Sequence, residues 1–433
     1  MAITRRPSAL HRTMSTPPTT PNTAPNAESK LPHTYASTSV LTPPTSPRQS
    51  RSSSNISELT TPISVPVIQS PPGSALRHQG PRLDLIDTAT VAPRISTDAS
   101  VTACPFDVEI LKDERGRDAI FGTGAWSTVY KATTHAKSRT ISGSLTPPLS
   151  PTFATPILVA LKKPARRDAI PILKSEAKLL TYLRAIPSSD KCVVPFYGTV
   201  DETSLVLEAI PFSLEDHIRQ CAARATQNLS TWTMTEPVLG SEAKWFHLAR
   251  QLISALAWLH NDARVVHGDI KPGNILLTRV QGSGVDITFQ PLFADFSSAQ
   301  RLDTEDTTPN TLSAVTREYT APELLNSKVL RDPTSTATPA SDVFSMAITL
   351  LVAATGQLLV YPGSVFQRQA MATQGWMVLN YSRNGEQGSR LPKFGLVERV
   401  LERAVLKADL GRVSAQEWLG IVDTIAQGDP VKL

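Results

Sequence analysis

Residues 267–277 read HGDIKPGNILL and place four polar side chains that could do chemistry within eight positions: His267, Asp269, Lys271 and Asn274. Asp269 could take a proton from an acceptor hydroxyl group. Asn274 offers an amide oxygen, a hard ligand of the kind that Mg²⁺ prefers. A histidine ahead of an aspartate is by itself usually an ordinary buried residue, so this stretch needs partners elsewhere in the chain.

A second metal-ligand candidate follows a second apolar run. Residues 275–277 are Ile-Leu-Leu directly after Asn274, and residues 291–294, PLFA, lead into Asp295. Short apolar runs of this kind are typical of buried strands, and two adjacent strands would present Asn274 and Asp295 at neighbouring ends. Because one amide and one carboxylate suit Mg²⁺, we predict a magnesium site here, with Asp269 facing the acceptor hydroxyl.

Two further segments could hold phosphate groups. Residues 122–129 read GTGAWSTV, and glycines let backbone N–H groups approach phosphates closely, although paired glycines most often mark ordinary turns. Residues 159–162 read VALK, an apolar strand ending in a lysine that would usually be solvated. Glu176 follows in a predicted helix, with Leu180 one turn later on the same face. A pair between Lys162 and Glu176 would hold the ammonium group toward phosphates.

Six motifs in this order resemble the eukaryotic protein kinase family, serine/threonine type, from about residue 106 onward. They are GTGAWSTV, VALK, Glu176, HGDIKPGN, DFS at 295–297 and TREYTAPE at 316–323. The resemblance implies ATP-dependent transfer of the γ-phosphate of Mg-ATP to Ser or Thr hydroxyl groups of protein substrates. Small-molecule phosphotransferases share the loop pattern but lack the last motif, which favours a protein substrate. A pseudokinase scaffold that binds nucleotide without transfer is the other alternative.

The resemblance also implies a role for each site residue. Lys162 would bind the α- and β-phosphates of ATP, and Glu176 would orient it. Asp269 would be the base, and Lys271 would neutralise the transferred phosphate. The nucleotide and metal positions implied by the resemblance are Gly122, Gly124, Ser127, Val129, Ala160, Lys162, Leu207, Glu208, Ile210, Asn274 and Asp295. The last two would hold Mg²⁺, and a hinge beginning at Glu208 would bind adenine through its backbone.

Several residues depart from the family pattern, and Ser127 stands in place of the third glycine of the glycine-containing loop. Gly268 replaces the arginine that receives an activation-loop phosphate, so a phosphate in residues 301–313 would lack its bidentate partner. We therefore expect activity not to require phosphorylation of that loop. Ser297 replaces the glycine of Asp-Phe-Gly, which restricts backbone rearrangement. Gly273 stands where kinases that prefer basic substrates often have Glu, which disfavours strong selection for an upstream Arg.

The order of the elements that must position these residues predicts a two-lobed α+β, protein-kinase-like fold. A β-rich N-lobe (106–208) precedes a larger α-helical C-lobe (209–433). The hydrophobic spacing predicts helices over 170–185, 242–261, 338–354 and 415–426, and strands over 127–132, 157–162, 193–200 and 204–209.

Two segments lack the composition of a core. Residues 1–100 contain 15 of the 35 prolines but only one of the 25 aromatic residues, so we predict a disordered tail. Its repeated Ser-Pro and Thr-Pro pairs are either chance composition or acceptor sites for proline-directed kinases. Residues 133–156 are similarly rich in Ser, Thr and Pro, and are predicted to be a disordered insert in a β-hairpin.

Charge and composition exclude several function classes. Of the net charge of +5, +4 belongs to residues 1–100, which disfavours a nucleic-acid surface. Three cysteines without metal-ligand spacing favour a reducing compartment. No secretory signal is visible, and the most apolar run, 344–360, is shorter than the roughly 20 residues needed to span a bilayer. We expect a soluble, monomeric, cytoplasmic protein with no membrane partner, and leave access to the nucleus open.

Overall fold

A computed structural model describes seven stretches of the chain: 100–136, 156–228, 230–280, 288–303, 316–332, 334–375 and 377–428. All of them lie within one structural unit of the chain, Ala89–Leu433. Residues 1–99 of the predicted tail, most of the insert and every hydroxyl group in residues 301–313 therefore lie outside the described residues.

The first part of the described chain forms a six-stranded antiparallel sheet. Its strands are β1 (Phe106–Ile110), β2 (Ile120–Thr123), β3 (Ser127–Ala136), β4 (Leu158–Pro164), β5 (Phe196–Val200) and β6 (Ser204–Glu208). The strand order is β1–β3–β4–β6–β5, and β2 also pairs with β3. This sheet is the β-rich lobe predicted from the sequence.

Two strand boundaries differ from the predictions by more than two residues. The insert was predicted to begin at residue 133, but β3 continues to Ala136, because residues 133–136 pair with β1. The expected hairpin of β3 and β4 is present. Strand β5 begins at Phe196 rather than at residue 193, because Val193 bridges to Phe293 instead.

The remaining described chain is mainly helical. Helix α1 (Ile170–Arg184) lies between β4 and β5. The helices after β6 are α2 (Leu214–Gln227), α3 (Glu242–Asn261), α4 (Ser327–Arg331), α5 (Pro339–Thr355), α6 (Val365–Gln374), α7 (Val378–Arg383), α8 (Leu396–Leu401) and α9 (Ala415–Ala426). Short strands lie between them: β7 (Val265–Val266), β8 (Ile275–Val280), β9 (Thr288–Phe293) and β10 (Gln300–Arg301). The four predicted helices correspond to α1, α3, α5 and α9. Within the described ranges, no helix has both the length and the apolarity needed to cross a bilayer.

Helix α5 is the buried centre of the helical lobe. It starts with a capping box in which Thr338 and Ser341 exchange hydrogen bonds, with Pro339 in the first turn. It ends at Gly356, whose φ of +79° suits glycine. All residues from 341 to 355 are buried, so the helix can hold a polar side chain, Asp342, at a fixed place in the core.

Strand β4 faces two cores with alternate residues. Val159 and Leu161 belong to a small cluster on one side of the sheet. Ala160 belongs to the main core, which continues through α1 into the helical lobe. Since side chains alternate along a strand, Lys162 lies on the same face as Ala160, toward the helical lobe.

Candidate active site

The register of the sheet collects several predicted nucleotide positions on one face. Val129 of β3 lies opposite Lys162 of β4, and Ala160 of β4 lies opposite Leu207 of β6. Residues that pair directly across an antiparallel sheet share a face, and Ala160 and Lys162 are two positions apart. Gly122 of β2 pairs with Val129, so the glycine-containing turn lies beside this group.

The turn between β2 and β3 is closed by a backbone hydrogen bond from Gly124 N to Ser127 O, 2.7 Å long. Ser127 is buried. A Cβ atom at Gly122 would meet no other atom within 4 Å, and one at Gly124 would only touch Ser127 O at 3.7 Å. The contacts of the chain itself therefore leave open space at both glycines, which is space that a phosphate group could approach.

The hinge residues occupy the end of the sheet. Glu208 is the last residue of β6, and its N–H donates to Pro195 O at 2.9 Å. Ile210 follows two positions later and is buried in the main core.

Lys162 connects three elements of the fold. Its Nζ atom lies 2.7 Å from Oε1 and 2.8 Å from Oε2 of Glu176 in α1. The same Nζ atom lies 2.7 Å from Oδ1 of Asp295, the residue two positions after β9. Glu176 also accepts a hydrogen bond from Phe296 N at 3.1 Å. These contacts join β4, α1 and the Asp-Phe-Ser segment around one ammonium group.

The electrostatics of this group keep it charged. Burial opposes the charge of Lys162, but the carboxylates of Asp295 and Glu176 outweigh burial and raise the pKa of Lys162 above its usual value. Burial also opposes the charge of Asp295, and the Lys162 ammonium outweighs it and lowers the pKa of Asp295. The Asp295 side chain is 40% exposed, whereas that of Lys162 is 4% exposed. A charged carboxylate is thus accessible beside a buried ammonium group.

Asp269 is held by three residues of its surroundings. Lys271 Nζ donates to Asp269 Oδ2 at 2.6 Å and to Thr316 Oγ1 at 2.7 Å. Asn274 Nδ2 donates to Asp269 Oδ2 at 3.1 Å, and Thr316 N donates to Asp269 Oδ1 at 3.2 Å. The Nδ2 atom of Asn274 is thus used by Asp269, and no described residue donates a hydrogen bond to its amide oxygen.

The predicted strands align Asn274 with Asp295. Strands β8 and β9 pair with Ile275 opposite Phe293, and Ala294 N donates to Asn274 O at 2.9 Å. Asn274, just before β8, and Asp295, just after β9, therefore lie at the same end of two adjacent strands, as the two apolar runs in the sequence predicted. An amide oxygen and a carboxylate are hard oxygen ligands that fit Mg²⁺.

Comparison with known proteins agrees with this geometry. The protein kinase domain family matches residues 158–416, more than half of the chain. The chain belongs to the protein kinase family. The serine/threonine-protein kinase ISR1 of Saccharomyces cerevisiae is 28% identical over 242 residues, which cover 54% of this chain and 49% of that protein. ISR1 of Eremothecium gossypii is 29% identical over 210 residues, or 45% of this chain and 50% of that protein. The chain thus spans about half the length of these relatives.

The kinase domain anchors its catalytic loop on Asp342 of α5. The carboxylate accepts hydrogen bonds from His267 N at 2.7 Å and from Gly268 N at 2.9 Å. His260, at the end of α3, lies 3.1 Å away from the same carboxylate. His260 could not be identified as a functional residue from the sequence, since nothing in its spacing along α3 distinguishes it from the other core residues of that helix.

Gly268 has a structural reason to be glycine. Its φ is +78°, in the left-handed region that disfavours side chains. A Cβ atom there would lie 2.5 Å from the backbone oxygen of Ser298. An arginine at 268 therefore cannot be added without moving the 3-10 turn formed by residues 296–298.

A column of ring and apolar side chains surrounds His267. The rings of His267 and Phe296 lie 4.8 Å apart, and those of His267 and Phe293 lie 5.5 Å apart. Leu180 and Phe196 belong to the same core as Phe296. This column ties the Asp-Phe-Ser segment to both α1 and the catalytic loop.

Glu323, the last residue of TREYTAPE, forms an ion pair with Arg412. The two guanidinium nitrogens Nη1 and Nη2 donate to the two carboxylate oxygens of Glu323 at 2.8 and 3.1 Å. Arg412 Nη1 also donates to Ala340 O at 2.7 Å. The side chain of Arg412 is fully buried, so the TREYTAPE segment is fixed to the base of α5.

Proposed function

We propose that the chain is a serine/threonine protein kinase that transfers the γ-phosphate of Mg-ATP to Ser or Thr hydroxyl groups of protein substrates. The observation that carries the proposal is the position of Lys162, whose Nζ atom lies 2.7 Å from carboxylate oxygens of both Glu176 and Asp295. In phosphoryl transfer the protein mainly positions groups and neutralises charge. A fixed ammonium group beside an accessible carboxylate supports that role.

The residues present fit Mg-ATP. The open space at Gly122 and Gly124 suits phosphate groups, and Lys162 would hold two of them. Asp295 and Asn274 would hold Mg²⁺ through their side-chain oxygens. When bound, ATP would supply the phosphoryl group, and Mg²⁺ would neutralise part of the charge on the phosphates.

Asp269 is suited to act as the base. Among the described residues its carboxylate accepts three side-chain or backbone hydrogen bonds, from Lys271, Asn274 and Thr316. A carboxylate can accept about four, so one acceptor position remains for a substrate hydroxyl group. Lys271, 2.6 Å away, would neutralise the charge of the transferred phosphate.

We further propose that activity does not depend on phosphorylation of the activation loop. Gly268 offers no guanidinium group, and its backbone leaves no room for one. The contacts of Asp342 with His267 and Gly268 already fix the catalytic loop, and the pair of Lys162 and Glu176 is already formed. A phosphate thus has no remaining task at these positions.

The activation-loop proposal is tested by changing all five candidate hydroxyl residues to Ala: Thr304, Thr307, Thr308, Thr311 and Ser313. These positions lie outside the described residues. We expect kcat within about twofold of wild type. An order-of-magnitude loss would refute the proposal.

Transfer itself is tested with ³²P-labelled Mg-ATP and a generic protein substrate, comparing the full chain with Asp269→Asn. We expect label on phosphoserine or phosphothreonine with wild type and background label with the variant. Equal background in both would favour a nucleotide-binding scaffold instead. Label on a small metabolite with none on protein would favour a small-molecule phosphotransferase.

Three further expectations remain proposals. The chain acts as a monomer, acts in the cytoplasm, and receives phosphate from proline-directed kinases at the Ser-Pro and Thr-Pro pairs of residues 1–100. Size-exclusion chromatography with light scattering, cell fractionation and phosphosite mapping test them in turn.

A further inference from the structure

A cavity of about 280 Å³ lies beside the catalytic loop, between the TREYTAPE segment and α6. Thr316 forms part of its wall. The same residue accepts a hydrogen bond from Lys271 at 2.7 Å and donates one to Asp269 at 3.2 Å. Thr316 therefore contacts the proposed base, Asp269, and also borders the cavity. An extended peptide advances roughly 3.3 Å per residue, so a substrate whose hydroxyl faces Asp269 would reach the cavity within a few residues.

Two arginines line the cavity and retain unused hydrogen-bond donors. Arg317 Nη1 donates to Gln369 Oε1 at 2.8 Å, and Arg368 Nη1 donates to Gly363 O at 2.7 Å. In the described part of the chain these are the hydrogen bonds of the two guanidinium groups, although each group carries five N–H donors. Arg317 is exposed, so its remaining donors are open to a ligand.

The one carboxylate in the cavity wall only partly offsets this charge. Glu318 Oε1 lies 3.6 Å from Arg368 Nε, which is too long for a hydrogen bond, and that Nε atom is buried without an acceptor. Arg317 has no carboxylate partner among the described residues. Two arginines therefore face one glutamate, and the cavity has a positive excess.

Helix α6 adds to the positive potential. Val365, Arg368 and Gln369 lie in its first turns and all line the cavity. The N–H groups in the first turn of a helix carry partial positive charge, and that of Gln367 is used by the capping residue Ser364. The rest of the wall includes apolar side chains such as Tyr361 and Ala372, which strengthen electrostatic contacts by excluding water.

We propose that this cavity selects protein substrates with an anionic side chain within a few residues of the acceptor hydroxyl, recognised by Arg317 and Arg368. The proposal rests on the proposed kinase function and adds a substrate class to it. The anionic group is Asp, Glu or a phosphorylated residue, since all three present oxygen acceptors to a guanidinium fork. The carboxylate nearest to Gly273, that of Glu215, is already paired with Arg219 at 2.6 Å, so no comparable selection for a basic side chain arises there.

The test uses the full chain and a positional peptide series. Each peptide has one Ser acceptor in an Ala/Gly background, with Glu, phosphoserine, Ala or Lys placed at each of four positions on either side. We measure kcat/KM for wild type, Arg317→Ala, Arg368→Ala and Arg317→Glu. Arg184→Ala is the matched control, since Arg184 is an exposed arginine at the end of α1, outside the cavity.

We expect wild type to favour Glu over Lys by about tenfold at one or two positions, which corresponds to about 1.4 kcal/mol. Phosphoserine should equal or exceed Glu. Arg317→Ala and Arg368→Ala should each reduce the preference several-fold, and Arg317→Glu should abolish or invert it, where the preference is the ratio of kcat/KM for the Glu and Lys peptides with the same variant. Arg184→Ala should retain the full preference.

An equal response to Glu and Lys, or a preference that survives in both Ala variants, overturns the proposal. If no peptide is phosphorylated at all, the proposed kinase function fails first. Fluorescence anisotropy with labelled Glu and Lys peptides then decides the inference separately. Tighter binding of the Glu peptide that depends on Arg317 supports the cavity, and equal binding overturns it.

Discussion

Two polar regions of the kinase domain, one around Lys162 and one around Arg317 and Arg368, differ in how completely their charges are paired. Around Lys162 the ammonium group touches two carboxylates at 2.7 Å and is almost wholly buried. Around Arg317 and Arg368 the nearest carboxylate lies 3.6 Å from a guanidinium nitrogen. The first region already has the contacts that positioning requires, whereas the second keeps donors available.

The difference separates the chemical step from recognition. Groups that stabilise a transition state work best when they are fixed beforehand, since no reorganisation is then needed during the reaction. Groups that select a partner must leave some hydrogen-bonding capacity unused until the partner arrives.

The largest expected effect is on transfer through Lys162. Lys162→Met should lower kcat/KM for phosphorylation of a protein substrate by about 100-fold or more, because a preorganised charged donor is lost. Lys163→Met is the matched control, since Lys163 is the next residue of β4 and pairs with Thr128 on the other face. The control should stay within a few-fold of wild type. Similar losses in both variants would contradict the assignment of Lys162, but not Lys163, to the face of β4 that is turned toward the helical lobe.

The next effect concerns the stability of the contact that fixes the TREYTAPE segment to the start of α5. Arg412→Ala should lower the free energy of unfolding by about 3 kcal/mol, because it leaves Glu323 without its buried partner. Arg250→Ala removes an exposed pair with Asp423, at 2.8 Å, and should cost less than about 1 kcal/mol. Urea unfolding followed by circular dichroism measures both. Equal costs would show that the burial of Arg412 has no energetic consequence.

Gly268→Arg should destabilise the kinase domain rather than improve it. The left-handed backbone and the 2.5 Å approach to Ser298 O predict a loss of about 1–3 kcal/mol. Gly420→Ala is the control, because a Cβ atom at Gly420 in α9 meets no neighbour and alanine favours helix. Thermal unfolding compares the two variants. A fully stable Gly268→Arg variant would refute the steric account.

The smallest effect should arise at Thr316, which joins the two regions. Thr316→Val removes the hydroxyl group that accepts from Lys271 and should lower kcat by about tenfold, as expected for a lost hydrogen bond to a charged group. Thr316→Ser retains the hydroxyl group and should stay within about threefold. A Val variant as active as the Ser variant would show that this contact does not position Lys271.

The sequence predicted the elements whose signals are local. The apolar run after Asn274 and the one before Asp295 predicted two strands with adjacent ends, and β8 and β9 confirm them. The helices α3 and α9 begin and end at the predicted residues, because capping serines precede clear hydrophobic periods. The contact of Lys162 with Glu176 followed from the family resemblance and is present at 2.7 Å.

Features that depend on backbone conformation or on distant contacts could not be predicted in this way. The sequence showed that Gly268 departs from the family, but its positive φ and the nearby Ser298 oxygen are visible only in three dimensions. Arg317 was visible within TREYTAPE, whereas its neighbour Arg368 lies 51 positions later, on a helix with no motif. Their shared cavity results from the packing of α6 against the TREYTAPE segment.

The central claim is that Lys162 and Asp295 form one working phosphate and metal site. Calorimetric binding of a non-hydrolysable ATP analogue, with and without Mg²⁺, tests it most directly on wild type, Lys162→Met and Asp295→Asn. We predict that Mg²⁺ strengthens binding to wild type, that Asp295→Asn loses this strengthening, and that Lys162→Met binds weakly under both conditions. Equal binding by all three proteins, or binding that ignores Mg²⁺ in wild type, would contradict the account.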